Sequence, residues 1–243
     1  MLNLKTFDPI ILFIDKIGVD ISLVKEYILG EKYAAVILKN GNIGLAANII
    51  NVDKFDFKTV KLFDIENLTH RLFLLAFFNA VFNNLPNKLS GGDIFDIIDF
   101  SEYENIVMVG YSIPMFKKLK ERNCVPFVFD NQSDEKLIIE QRLISEYLKK
   151  ADSVILTGTS IINNSFKVII ETVNEKCDVF LIGPSATFFE SLLNIKKIKG
   201  IFGTQFNTND KNVIRLIREN EGTNCLKKYG KKFALINKEY ANL

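Results

Sequence analysis

A chain of 243 residues, 48% of them hydrophobic, can bury an ample core in one large domain or two modest ones. Its 31 Lys and Arg against 29 Asp and Glu give a formal charge of +2 with the lysines dispersed, which speaks against a nucleic-acid partner because no basic stripe awaits a phosphate backbone. Three widely spaced cysteines (Cys124, Cys177, Cys225) and a beginning without a basic stretch followed by a cleavable apolar one lead to the expectation of a reduced, cytoplasmic protein.

The first predicted element is the amphipathic helix of "FDPIILFIDKI", with Pro9 in its first turn and Ile10, Phe13, Ile14 and Ile17 at helical spacing. In "VKEYILGEKYAAVILKNGNIGLAANI" two apolar runs flank Asn40-Gly41, which predicts a β-hairpin closed by a two-residue turn with positive φ at both positions. "NLTHRLFLLAFFNAVFNNLP" predicts a helix ended by Asn and Pro86. Its apolar run Leu72–Phe82 has 11 residues and contains Asn79, whereas a membrane span needs roughly 20, so a buried core helix is expected and no membrane partner. The Gly-Gly pair in "NKLSGGDIFDIIDF" marks a boundary near residue 90. Residues 1–90 then form a small α+β domain.

From residue 91 onward, strands and helices alternate: "NIVMVG", a helix from Pro114, "VPFVFD", a helix through "EKLIIEQRLISEYLKKA", "SVILTG", a helix over "SFKVIIETVNEK", "VFLIG" and "IKGIFGT". Continuous apolar strands joined by helices are the mark of a doubly wound parallel sheet, so residues 91–243 are read as a Rossmann-like α/β domain. Ligands of such sheets bind outside the carboxyl ends of the strands, where strand order reverses. Gly110, Gly158 and Gly183 each follow a strand, with hydroxyls on Ser112, Thr157, Thr159 and Ser185. The helices expected next would offer free N–H groups to an anion.

Several rival readings stay open. "GYSIP" lacks the spacing of a dinucleotide loop, although Asp130 at the end of "VPFVFD" suits either ribose hydroxyls or a local turn. Asn163 and Asn164 suit the cap of the following helix, or Asn163 turns its amide into the crevice. Pro184 stiffens its loop, and Ser185 serves as a cap or a ligand contact. The lone His70 has no partners for a zinc site or a catalytic triad, and the cysteines lack C-x-x-C spacing. Any metal must then be held by oxygen ligands or by a bound chelating molecule.

"GEKYAAVILKNGNIGLA", "LAFFNAVFN", "GDIFD", "VMVGYSIPMFKKLKERNCVPFVFD", "ADSVILTGTSIINNS" and "VFLIGPSATF" together resemble the "putative heavy-metal chelation" family of prokaryotic proteins, from about residue 20 to 236. The resemblance implies an enolase N-terminal-like domain, a Rossmann-like domain and an active site between them. Its chemistry would be chelation of a heavy metal or handling of a metal-binding small molecule. Carried over residue by residue, the matching positions are Gly30, Glu31, Tyr33, Asn79, Gly110, Tyr111, Thr157, Gly158, Thr159, Asn163, Gly183, Pro184 and Ser185. The family has a small polar residue where Ala34 stands and commonly Glu where Asp130 stands, so one hydroxyl is missing here.

The leading expectation is a protein that binds a small anionic or metal-chelating ligand between its two domains. N–H groups after Gly110, Gly158 and Gly183 would hold the anion, and Asp130 and Glu31 would act as carboxylate ligand or base. Gly158→Val should then abolish binding and spare the fold. The alternatives are a group-transfer enzyme using an adenosine-containing cofactor such as S-adenosylmethionine, and a non-catalytic metallochaperone. The sequence names no metal or cofactor and leaves catalysis undecided. A homodimer is the ordinary expectation for a soluble chain of this size.

Overall fold

A computed structural model describes residues 8–83, 92–131 and 135–237. Helix α1 (Pro9–Ile17) is capped by Asp8, whose carboxylate accepts the Ile10 N–H. Strands β1 (Val24–Leu29), β2 (Tyr33–Leu38) and β3 (Ile43–Ala47) form an antiparallel sheet in that order. The turn between β2 and β3 differs from the expected form. Gly41 alone has a positive φ (+91°), Gly41 N–H donates to Leu38 O and Leu38 N–H to Asn42 O, which makes a three-residue loop with glycine at its left-handed position.

Every residue of β2 is buried because the sheet is covered on both faces. Ala34, Val36 and Leu38 meet helix α2 (Leu68–Phe82), while Tyr33, Ala35 and Ile37 meet helix α8 (Lys211–Arg218). Helix α2 is buried from Arg71 to Ala80, as the apolar run predicts. No helix among the described residues is long and apolar enough to cross a membrane. Pro86 and the boundary near residue 90 lie outside the described residues.

The second sheet has the order β5-β4-β6-β7-β8-β9: β5 (Phe127–Phe129), β4 (Ile106–Val109), β6 (Ser153–Thr157), β7 (Asp178–Ile182), β8 (Ile198–Phe206) and β9 (Gly230–Ile236). The first five are parallel, and β9 is an antiparallel edge strand that sequence reading missed. One face packs on α5 (Ile144–Lys150) and α7 (Ser165–Thr172) through Val154, Leu156 and Val179. The other packs on α3 (Ile94–Ile97) and α4 (Ile113–Glu121) through Met108, Ile155 and Phe180. The architecture is therefore the expected α/β class, a small antiparallel sheet followed by a doubly wound, mostly parallel one. Only the carboxyl-terminal part of the helix predicted through "EKLIIEQRLISEYLKKA" forms: Ile139 N–H donates to Val128 O, drawing that segment along the β5 edge.

Two devices join the sheets. Between β8 and β9 the chain leaves to form α8 and α9 (Thr223–Leu226), whose Val213, Leu216, Ile217 and Leu226 complete the core under the small sheet. Arg71, fully buried on α2, forks onto the Asp8 carboxylate at 2.6 and 3.0 Å. It also donates to the carbonyls of Ile161 and Ile162 at the end of helix α6 (Thr159–Ile162), which follows β6.

Candidate functional site

Strand order reverses at β4, with β5 on one side and β6 on the other, so the carboxyl ends of β4 and β6 splay apart and leave a crevice. The small sheet stands over those ends. Ser185 Oγ accepts the Ala47 N–H at 2.9 Å, tying the end of β3 to the loop after β7. Tyr33 at the start of β2 bonds its hydroxyl to Thr223 Oγ1 of α9 at 2.5 Å, and Asn220 Oδ1 accepts the Glu31 N–H at 2.7 Å. These bonds frame a cleft of about 720 Å³ lined by Tyr33, Tyr111, Thr157, Gly158, Thr159, Gly183, Pro184 and Ser185, and also by Lys32, Glu221, Thr223, Cys225 and Lys227.

The sequence-predicted residues are thus largely brought together, in three adjoining spaces. A second cavity of about 370 Å³ lies toward β5 and takes Gly110, Asp130 and Asn163; Thr157 and Thr159 line both spaces and share a hydroxyl hydrogen bond of 2.6 Å. Glu31 lies at the opposite end with Tyr33 and Asn48, and is exposed. Asn79 does not meet the expectation. It is buried against β3, where its amide donates to Leu45 O at 2.7 Å, so it serves helix-on-sheet packing. Gly30 is likewise internal, its backbone abutting Ile217 O and Asn220 Oδ1 at the position a Cβ would take, 2.8 and 2.9 Å away.

The expected backbone cradle is mostly spent on the protein itself. After Gly110, the Tyr111 N–H donates to Asp130 Oδ2 at 2.6 Å, so this carboxylate braces the β4 loop. After Gly183 comes Pro184, which has no N–H. No helix follows β7 directly, and α6 is a single turn. Asn163 Oδ1 accepts from Ser165 N and Oγ, at 3.1 and 2.7 Å, closing the turn into α7 from the residue before its N-cap, Asn164. Gly158 has an ordinary φ of −59°; it is needed because the Ser185–Ala186 backbone lies where its Cβ would be. Gly158→Val therefore tests packing as much as binding, against the expectation that it would spare the fold.

What the cleft offers an anion instead is ammonium groups and hydroxyls. Lys32 and Lys227 line it, and among the described residues neither has an ion-pair partner. Burial raises the Tyr33 phenol above its ordinary pKa, with the Thr223 bond acting the other way, so at neutral pH it is a hydroxyl. Cys225 Sγ donates to Glu221 Oε2 at 3.1 Å, and that bond, more than burial, raises the thiol pKa. Glu221→Gln should therefore lower it and speed alkylation of Cys225 by iodoacetamide at pH 7.5 severalfold; an unchanged rate would show that the carboxylate does not hold the proton. Cys177 gives little background, since burial pushes its thiol up to about 12.

Beside the cleft, Lys118 and Lys232 share Asp93 Oδ2 at 2.5 and 2.7 Å. Burial alone would push the Asp93 carboxyl up, but the two lysines outweigh it and hold it at about 2, below its ordinary 3.8. A depressed carboxyl contributes stability that is full above pH 3.8 and disappears as pH falls through 2. Lys118→Met/Lys232→Met should flatten that part of an acid unfolding curve followed by circular dichroism.

The residues that sequence reading missed, from Glu221 to Lys227, come from the excursion between β8 and β9. A signal was there: Asp210 as N-cap, then Val213, Leu216 and Ile217 at helical spacing.

A family model described as "Putative heavy-metal chelation", DUF364, matches residues 93–236, more than half of the chain. The chain belongs to the DUF364 family. Two solved structures of DUF364 proteins of unknown function share its fold. One, from Pyrococcus horikoshii, is 17% identical with a TM-score of 0.76, over 88% of this chain and 92% of that one. The other, from Desulfitobacterium hafniense, is 19% identical with a TM-score of 0.74, over 93% and 96%. No curated protein matches the chain. Among the described residues no group of three or more His, Cys, Asp or Glu side chains comes together. Cys225 and Glu221 form a thiol–carboxylate pair in the cleft that does not complete a metal site by itself.

Proposed function

We propose that this DUF364 protein binds a small anionic molecule that carries its own metal-chelating groups, in the cleft between the small sheet and the carboxyl ends of β4, β6 and β7. The observation that carries this reading is the composition of the cleft wall: the ammonium groups of Lys32 and Lys227, with no ion-pair partner among the described residues, beside the hydroxyls of Thr157 and Thr159, and no three-donor cluster among the described residues. Such a wall recognises oxyanions rather than a bare cation. A metal would arrive as cargo on the small molecule's own donors. Of the two carboxylates assigned a role from sequence, Asp130 is engaged by Tyr111 N–H, and Glu31 lies at the cleft's outer end, where it would meet only an extended ligand.

Native mass spectrometry of protein purified without chelators tests this. The expected excess over the denatured chain is a small organic anion or its metal complex. An excess equal to a bare metal ion would overturn it.

A second reading, group transfer with an adenosine-containing cofactor, is favoured by the cavity toward β5. Ser160 lines that cavity and is 2% exposed, and its hydroxyl has no hydrogen-bond partner among the described residues. Calorimetric titration with S-adenosylmethionine decides it, since absence of heat removes the reading. A metallochaperone would release cargo stoichiometrically, one ligand per chain, where an enzyme would convert many.

A further inference from the structure

Across Gly183 and Pro184 from the main cleft lies another cavity, of about 360 Å³, walled by the start of α4, the end of β7 and the facing part of β8. Three ammonium groups line it, Lys118, Lys227 and Lys232, and one carboxylate, Asp93. Lys118 Nζ and Lys232 Nζ bond the same carboxylate oxygen, at 2.5 and 2.7 Å, so they are no farther apart than the sum of those distances. Two like charges held that close repel each other. One carboxylate offsets one of the charges. Lys227 has no ion-pair partner among the described residues, so the cavity carries positive charge in excess.

Lys118 and Lys232 keep 47% and 56% of their side chains exposed while sharing one acid, and Lys227, also exposed, lines the same concave wall, so the ammonium groups stay open to an incoming anion. The cavity also joins the main cleft. Gly183 has φ +101°, nothing lies within 4 Å of the position a Cβ would take, and Gly183, Pro184, Ser112 and Thr223 border both spaces. A single ion would need only one of the two.

We propose that this annex is the oxyanion subsite of the ligand in the main cleft: it receives a phosphate or carboxylate group on Lys118, Lys227 and Lys232, with Asp93 holding two of the lysines in place. The assignment rests on the reading of the cleft as a small-anion site and narrows it to an elongated ligand bearing an oxyanion at one end.

Inorganic phosphate and malonate are titrated separately into the full chain by calorimetry at low ionic strength. The comparison is between wild type, Lys227→Met, Lys118→Met and, as a main-cleft control outside the annex, Lys32→Met. Lys118→Met decides, because Lys118 lines the annex and not the main cleft, whereas Lys227 lines both. About a tenfold loss of affinity is expected in Lys227→Met and Lys118→Met, the scale of one charge-assisted hydrogen bond, with Lys32→Met close to wild type. The better of the two probes identifies the oxyanion. Wild-type affinity in Lys118→Met overturns the proposal; if Lys32→Met or Lys227→Met weakens binding in that case, the cleft reading stands without the annex. No binding of either probe by wild type also overturns it.

Discussion

Replacing Arg71 with Leu is expected to destabilise the protein by about 3–5 kcal/mol, the range for breaking a buried ion pair from one side. The guanidinium is wholly buried, and it satisfies the Asp8 carboxylate and two carbonyls at the end of α6. Leucine fills part of the volume and leaves a buried carboxylate with, among the described residues, the Ile10 N–H from the α1 cap. Urea unfolding followed by circular dichroism measures the loss. Adding Asp8→Asn should recover part of it, because the stranded charge is then gone; no recovery would mean that the carbonyl bonds, rather than the ion pair, carry the stability. The change should also reach the site. Arg71 fixes the end of the single-turn helix that begins at Thr159, so any Arg71→Leu protein that still folds should bind the cleft ligand more weakly.

That coupling explains which parts of the site were legible in the sequence. Strand ends are local: "SVILTGT" and "VFLIGPS" announce where an apolar strand stops and polar atoms begin, and the sheet's topology brings such ends to one edge. Hence Thr157, Gly158, Thr159, Gly183, Pro184 and Ser185 converge where expected. What each backbone group does there is non-local. Nothing in "GYSIP" reveals that the Tyr111 N–H is claimed by Asp130, 19 residues on, and nothing near Gly158 reveals the backbone of Ser185 and Ala186 against it. Asn79 misled for the same reason: a polar residue in an apolar helix marks either a ligand or a buried partner, and its partner Leu45 O sits on another element. The lysines were seen as dispersed because they are dispersed along the chain. Lys118 on α4 and Lys232 on β9 meet through Asp93, and the excursion between β8 and β9 adds Lys227, which lines the main cleft with Lys32 as well.

Gly158 and Gly183 look alike in sequence and should respond oppositely to substitution. At Gly158 a side chain would press on the Ser185–Ala186 backbone. That backbone has little room to move: Ser185 Oγ is bonded to Ala47 N, Ala186 N to Gly183 O at 3.0 Å, and Gly158 N to Ile182 O at 2.9 Å. Gly158→Val is therefore expected to lower stability by about 3 kcal/mol, the upper end for overpacking, and to lose ligand binding as the two loops separate. At Gly183 a Cβ would meet nothing, so Gly183→Ala costs only the left-handed backbone, about 1–2 kcal/mol. The methyl group would project into the open space between cleft and annex. A folded Gly183→Ala protein that binds weakly, beside a Gly158→Val protein with a much lower unfolding midpoint, would place the ligand's path at Gly183 and assign Gly158 to the packing that holds the strand ends together. The reverse result, a stable Gly158→Val protein without affinity and a Gly183→Ala protein with full affinity, would move the ligand off the β7 loop and onto the end of β6.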